Sequence, residues 1–261
     1  MRIHIVTMDD PLFTLDFFED IIKARYKDIT GITVVKGGRL KIGKRRSKFV
    51  YLLSLLIIMG PVFFIQNTVK TTWYKLKKKF STVVPGLQLN TLESIAKQYN
   101  ISIDYSDNPN SEGYLNLLKS REPDIIINQS QFILKDDFLK IPSIGVLNRH
   151  NALLPKNRGR LTPFWVLLKE EKETGVSIHF VEEGIDSGPI VVQRKFDITP
   201  KDTFRSIVEK NYSIASSAML EAIDYLEKGG REFIPNNNEF ATYNTVPTLR
   251  EAIEFRKRRV F

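Results

Sequence analysis

Four short runs rich in β-branched residues, "RIHIV", "DITGITVV", "ISIDYS" and "PDIIINQ", recur in the first half of the chain with helix-like segments between them. Runs of this kind read as strands. Between the first two, "TLDFFEDIIKARY" sets Leu15, Phe18, Ile21, Ile22 and Tyr26 at the helical period. "TLESIAKQYN", with Thr91 as its cap, and "SEGYLNLLKSR" read as helices too. Strands alternating with helices build an α/β sheet. The expected fold is therefore α/β: a Rossmann-like twisted, mainly parallel sheet with helices on both faces, plus a small C-terminal extension. The second half continues the rhythm with a helix in "PFWVLLKEEKE", strands in "TGVSIHFVE" and "IVVQRKFDI", and a long helix from "TFRSIVEK" ended by Gly229 and Gly230. The expected division is one domain over 1–210 and a helix with a loop-rich, finally basic tail over 211–261.

Residues 41–80 break this rhythm. "KIGKRRSK" is basic, "FVYLLSLLIIMGPVFFI" is apolar, and "KTTWYKLKKKF" is basic again. Gly60-Pro61 interrupts the apolar run, and a continuous transmembrane helix needs about 20 residues without such a break. The segment reads as a helical insertion, packed on the domain or buried in a homodimer interface. A sharper reading is a peripheral contact with an acidic membrane, because Lys41, Lys44, Arg45, Arg46 and Lys48 precede the run and Lys75, Lys77, Lys78 and Lys79 follow it. The formal charge of +9 favours polyanionic partners in general. The chain has no cysteine, which excludes a disulfide framework, a thiolate zinc site and a cysteine nucleophile. That absence fits a cytoplasmic setting, at the inner face of the membrane if the insertion touches lipid. "RIHIV" directly after Met1 reads as a strand rather than a cleavable signal.

The chemistry-bearing residues cluster in "LNRHNALLPKNRG". Asn148 and His150 leave a strand, "SIGVLN", and two residues apart in extended chain they point to one side. An amide N–H and an imidazole N–H suit an oxyanion. Asp186, in "EEGIDSGP", is the candidate group to orient and polarise the histidine. Taken alone, the same residues also fit turn-forming Asn and Asp beside a satisfied surface histidine.

The stretch from Asn148 to Ile198 resembles the folate-dependent formyltransferase family. The pattern is carried by Asn148, His150, Leu153, Leu154, Pro155, Arg158, Gly159, Thr174, Gly175, Val176, Asp186 and Gly188. Ala152 stands where the family usually has Ser. The resemblance implies N10-formyltetrahydrofolate as donor and an amine as acceptor. It casts Asn148 and His150 as holders of the oxyanion and Asp186 as the partner of His150 that helps remove the amine proton. It requires no metal. It assigns the pterin to two loops, one with Phe132, Ile133 and Leu134, the other with Glu182, Glu183, Gly184 and Ile185. Phe132 fits plain core equally well, and His179, mid-strand in "VSIHF", reads as structural.

Three acceptor classes are familiar in that family. Glycinamide ribonucleotide enzymes place a Gly-rich turn after the first strand, where this chain has "TMDDPLF", and Asp9 and Asp10 would repel a phosphate. Methionyl-tRNA enzymes add a β-rich C-terminal domain, whereas the residues after 210 here begin as a helix, and no nucleic-acid partner is expected. Asn157, Arg158, Pro163 and Trp165 resemble the sugar N-formyltransferase pattern, so an amino sugar on a nucleotide or lipid-linked carrier is the expected acceptor. Met8, Asp9, Asp10, Arg158 and Trp165 are the expected acceptor contacts. A non-enzymatic alternative is a domain of this kind kept only to bind folate or a partner.

Overall fold

The computed structural model describes residues 1–10, 12, 14–36, 47–81 and 91–258. Gly37, Gly38, Lys41, Lys44, Arg45 and Arg46 lie outside the described residues, as does the side chain of Lys79. The chain divides into two compact units, residues 1–39 with 67–148 and residues 40–66 with 149–261.

The chain opens with β1 (Ile3–Met8), α1 (Thr14–Arg25) and β2 (Ile29–Val35). Two helices follow, α2 (Lys48–Met59) and α3 (Pro61–Ser81). Next come α4 (Leu92–Gln98), β3 (Ile103–Ser106), α5 (Glu112–Ser120), β4 (Ile125–Gln129), the short α6 (Asp136–Leu139) and β5 (Gly145–His150). The remainder is β6 (Arg158–Gly159), α7 (Thr162–Leu168), β7 (Glu173–Phe180), β8 (Ile190–Asp197), α8 (Phe204–Glu227), β9 (Tyr243–Asn244) and α9 (Leu249–Arg258). Seven strands order as β3-β2-β1-β4-β5-β7-β8, and β6 pairs with β9. The fold is α/β with a mainly parallel sheet.

In the first unit, β1 pairs in parallel with β2 on one side and β4 on the other, setting Ile5 opposite both Ile32 and Ile127. All three isoleucines are fully buried. Strands covered on both faces must be apolar nearly throughout, which is why these runs do not alternate. Each such side chain contributes about 1.5–3 kcal/mol on burial. The strand order reverses between β1 and β4, and crevices for ligands open at the carboxyl ends of strands beside such a switch. Met8, Gln129 and Asn148 stand at those carboxyl ends. Capping follows sequence chemistry. Thr91 and Ser94 form a reciprocal capping box on α4, and Asp10 accepts from the Leu12 N–H and the Thr14 hydroxyl at the start of α1.

In the second unit, β7 and β8 are antiparallel and α8 packs on both. A core of Ile58, Phe164, Val166, Leu167, Ile207 and Phe255 joins α2, α7, α8 and α9. One expectation needs correcting here. The helix of "PFWVLLKEEKE" ends at Leu168, because Glu170 takes a left-handed conformation (φ 55°) that turns the chain into β7. The boundary expected at 210 falls inside α8, which runs unbroken to Glu227 because its apolar face continues through Ala215, Met219 and Leu226.

Candidate active site

Asn148 sits near the carboxyl end of β5, where its amide oxygen accepts from Gln129 Nε2 at 2.8 Å. Gln129 terminates β4, so two neighbouring parallel strands set the amide and make its NH2 end the donor facing away from Gln129. His150, two residues further on, is 6% exposed. Its Nε2 lies 2.8 Å from the carbonyl of Asn157; a carbonyl only accepts, so Nε2 carries a proton. Its Nδ1 lies 3.4 Å from Asp186 Oδ2.

Asp186 is held in a left-handed conformation (φ 49°) on the loop between β7 and β8. Its Oδ2 accepts from the Gly159 N–H at 2.8 Å. Gly159 itself has φ 100°, and a Cβ there would lie 2.1 Å from the Asn244 carbonyl, so the β6–β9 pairing requires glycine. Gly188 is equally constrained, since a Cβ would come within 2.1 Å of the Phe180 carbonyl.

Sequence reasoning missed three partners. His179 is fully buried, donates from Nδ1 to the Phe180 carbonyl at 2.8 Å, and points Nε2 at Asp186 Oδ1, 3.7 Å away. Burial holds its pKa below the usual histidine range, against the opposing pull of Asp186. The ring therefore stays neutral near pH 7. Strand alternation could not reveal it, because β7 is buried on both faces. Asn157 is the second, with its carbonyl aimed at His150 and its side chain bonded to Glu171, Lys169 and Asn244. Asn236 is the third, donating to the carbonyls of both Asp186 and Gly188. The run "PNNNEF" signals turns, but nothing in it points to a loop fifty residues earlier.

Several expected acceptor contacts are committed elsewhere. Arg158 is 0% exposed, and its two terminal nitrogens bond Asn236, Asn238 and Tyr243. A buried guanidinium so engaged anchors the tail to the Asp186 loop. Trp165 donates its indole N–H to the Thr245 carbonyl and packs edge-on against Phe164, which makes it an anchor of α7. Asp10 spends both oxygens on capping α1. Asp9 accepts from the Tyr74 hydroxyl and from Lys78, each at 2.7 Å, while Lys78 also bridges to Glu93. Desolvation and this bond to Asp9 push the Tyr74 hydroxyl far above the usual phenol range. Met8 is partly buried at the end of β1.

Of the two expected pterin loops, the first places Leu134 in the core, leaves Phe132 half-buried and exposes Ile133 at 87%. Asn110 fixes its backbone by bonding the Ile133 carbonyl and the Lys135 N–H. Leu134 is thus a core residue, because its side chain turns inward where the backbone is pinned. The second loop exposes Glu182, Glu183, Gly184 and Ile185. Among the described residues no group of His, Asp and Glu could hold a metal ion.

Residues 81–223 match the family model of the formyl transferases. The chain belongs to the formyl transferase family. The matched stretch is more than half the chain and carries Asn148, His150, Asp186 and His179. Among the sequence relatives, a methionyl-tRNA formyltransferase from Kosmotoga olearia is 31% identical over 163 residues, covering 62% of this chain and 52% of its own length. The chain spans about half the length of the curated relatives it matches. Among solved structures, an N-formyltransferase from Helicobacter canadensis in complex with folinic acid and dTDP-3-aminofucose is similar over 94% of this chain and 71% of its own, with a TM-score of 0.59 at 18% identity. A phosphoribosylglycinamide formyltransferase from Anaplasma phagocytophilum is similar over 95% and 99%, with a TM-score of 0.61 at 13% identity. At these identities the formyl transferase likeness to the solved structures is one of fold.

Proposed function

We propose that this chain transfers a formyl group from N10-formyltetrahydrofolate to a primary amine, and that the amine belongs to an amino sugar. The observation that carries the reaction is the pairing of His150 with Asp186 at 3.4 Å, two residues along one strand from Asn148. The neutral amine attacks the formyl carbon, and the carbonyl oxygen becomes an oxyanion. The Asn148 amide N–H and the His150 imidazole stabilise it. Collapse breaks the bond from carbon to N10, and the proton lost by the amine passes through water to the Asp186 side before reaching the leaving nitrogen. No metal enters this chemistry.

The amino-sugar assignment rests on the turn after β1. It lacks a phosphate-cradling glycine and carries Asp9, whose carboxylate Tyr74 and Lys78 both bond. The sequence relatives favour a second reading, methionyl-tRNA as the acceptor. The test incubates the chain with N10-formyltetrahydrofolate and, separately, dTDP-linked amino sugars, glycinamide ribonucleotide and methionyl-tRNA. Mass spectrometry then follows the added formyl group. Transfer to a sugar amine alone supports the proposal; transfer only to methionyl-tRNA or to glycinamide ribonucleotide replaces its acceptor.

A further inference from the structure

The charge of this chain is segregated. Residues 29–92 hold 12 of its 39 Lys and Arg and none of its 30 Asp and Glu, so the other residues carry 27 cations against 30 anions. The positive balance of the whole molecule therefore comes from one segment, whose described part is mainly α2 and α3.

Along α3 the exposed apolar side chains are Val62, Ile65, Val69, Trp73 and Leu76, spaced by three or four residues. At 100° per residue they fall within an arc of about 80°, a stripe roughly 21 Å long. Buried Phe63 and half-buried Tyr74 lie on a different side of the helix. Lys70 and Lys77 flank one side of the stripe and Lys75 the other, and Lys77 stands 5.3 Å over the Trp73 ring. Phe49 and Leu52 are likewise exposed on α2, beside Lys48. Among the described residues no single helix is long and apolar enough to cross a membrane, and α2 and α3 are bent by 118° at Gly60, where φ is 79°.

We infer that the exposed apolar stripe of α3 lies on the surface of an anionic lipid bilayer, with Lys75 and Lys77 against the headgroups. An amphipathic helix with lysine borders and an aromatic at its edge suits the interface plane of a bilayer. Charge selects this occupant. A second copy would bring the same cations to the same face with no acid between residues 29 and 92 to meet them, whereas acidic headgroups complement them. The inference stands apart from the proposed reaction and is tested without it.

The experiment is flotation of the full chain with vesicles of phosphatidylcholine alone and of phosphatidylcholine with phosphatidylglycerol, at low and high salt. Binding is expected only with phosphatidylglycerol, and salt should weaken it. Lys75→Glu with Lys77→Glu should lower partitioning more than about 25-fold, since each lysine contributes roughly fivefold, equivalent to about 1 kcal/mol. Val69→Asp with Trp73→Asp should abolish flotation while circular dichroism shows the fold intact. Absence of flotation by the folded wild type, or equal flotation with neutral vesicles, overturns the inference. So does a concentration-dependent dimer that the Val69→Asp, Trp73→Asp variant dissociates, which would assign the stripe to a second copy.

Discussion

The loop system around Asp186 and helix α3 solve opposite problems. Around Asp186 polar groups are buried and are answered inside the chain. Asn157 is bonded at backbone and side chain, Arg158 is anchored by the tail, and Asn236 holds two carbonyls of the loop. On α3 apolar groups are exposed, and Val62, Ile65 and Val69 are more than half open to solvent. Buried polar groups are costly unless partnered, so they specify geometry. Exposed apolar groups cost little in isolation and specify a surface. Substitutions in the two regions should therefore differ in kind as well as in size.

The largest effect is expected at Arg158. Arg158→Ala removes four hydrogen bonds from its terminal nitrogens and leaves Asn236 and Asn238 short of partners. Leaving buried acceptors without their charged donor costs about 1–3 kcal/mol. Urea unfolding should report it, and a loss below about 1 kcal/mol would show that the tail is not anchored there. Next come Asn148→Ala and His150→Ala, each of which should lower kcat by about a hundredfold or more with the fold retained. The double variant should lose far less than the product, because the two act on one oxyanion.

Much of the fold was legible because its cause is local. Buried parallel strands need runs such as "DIIIN", and Thr91 announces α4 by the bond its hydroxyl accepts. The positions of Asn148, His150 and Asp186 were readable as residue types on a strand end and a Gly-flanked loop. Their surroundings were not. The partner of His150 Nε2 is a backbone carbonyl, which has no signature in residue identity. Arg158 looked like a ligand group because an arginine beside a motif is usually exposed, and only the tail, nearly eighty residues later, buries it. The end of α7 depends on one left-handed residue, Glu170, that no periodicity reveals.

A third test sharpens the cost of buried polar groups away from the site. His4 is buried on β1 between Thr33 and Thr30, and burial, aided by Arg121, pushes its pKa down to about 3. The folded chain therefore binds a proton less readily than the unfolded chain, whose histidine titrates near 6.5. Stability from this group is full above that value and is lost as pH falls toward 3, at about 1.4 kcal/mol per unit. Chemical unfolding at pH 7 and pH 5 should show about 2 kcal/mol of acid destabilisation that His4→Gln removes. An identical pH slope in the variant would contradict the burial of a neutral ring. The smallest effect belongs to α3. Trp73 is 58% exposed, so Trp73→Ser should change stability by no more than about 0.5 kcal/mol and leave turnover in solution unaltered. A larger loss would mean that the stripe is packed, and the contrast between the two regions would fail.

The most direct measurement of the proposed chemistry is single-turnover formyl transfer by Asp186→Asn, with donor affinity measured in parallel. The amide keeps the volume and the Gly159 contact but carries no charge opposite His150 and cannot accept the amine proton. Transfer should slow by about a hundredfold while the dissociation constant of N10-formyltetrahydrofolate changes less than about twofold. Transfer at the wild-type rate would contradict the role given to the His150–Asp186 pair and, with it, the proposed mechanism.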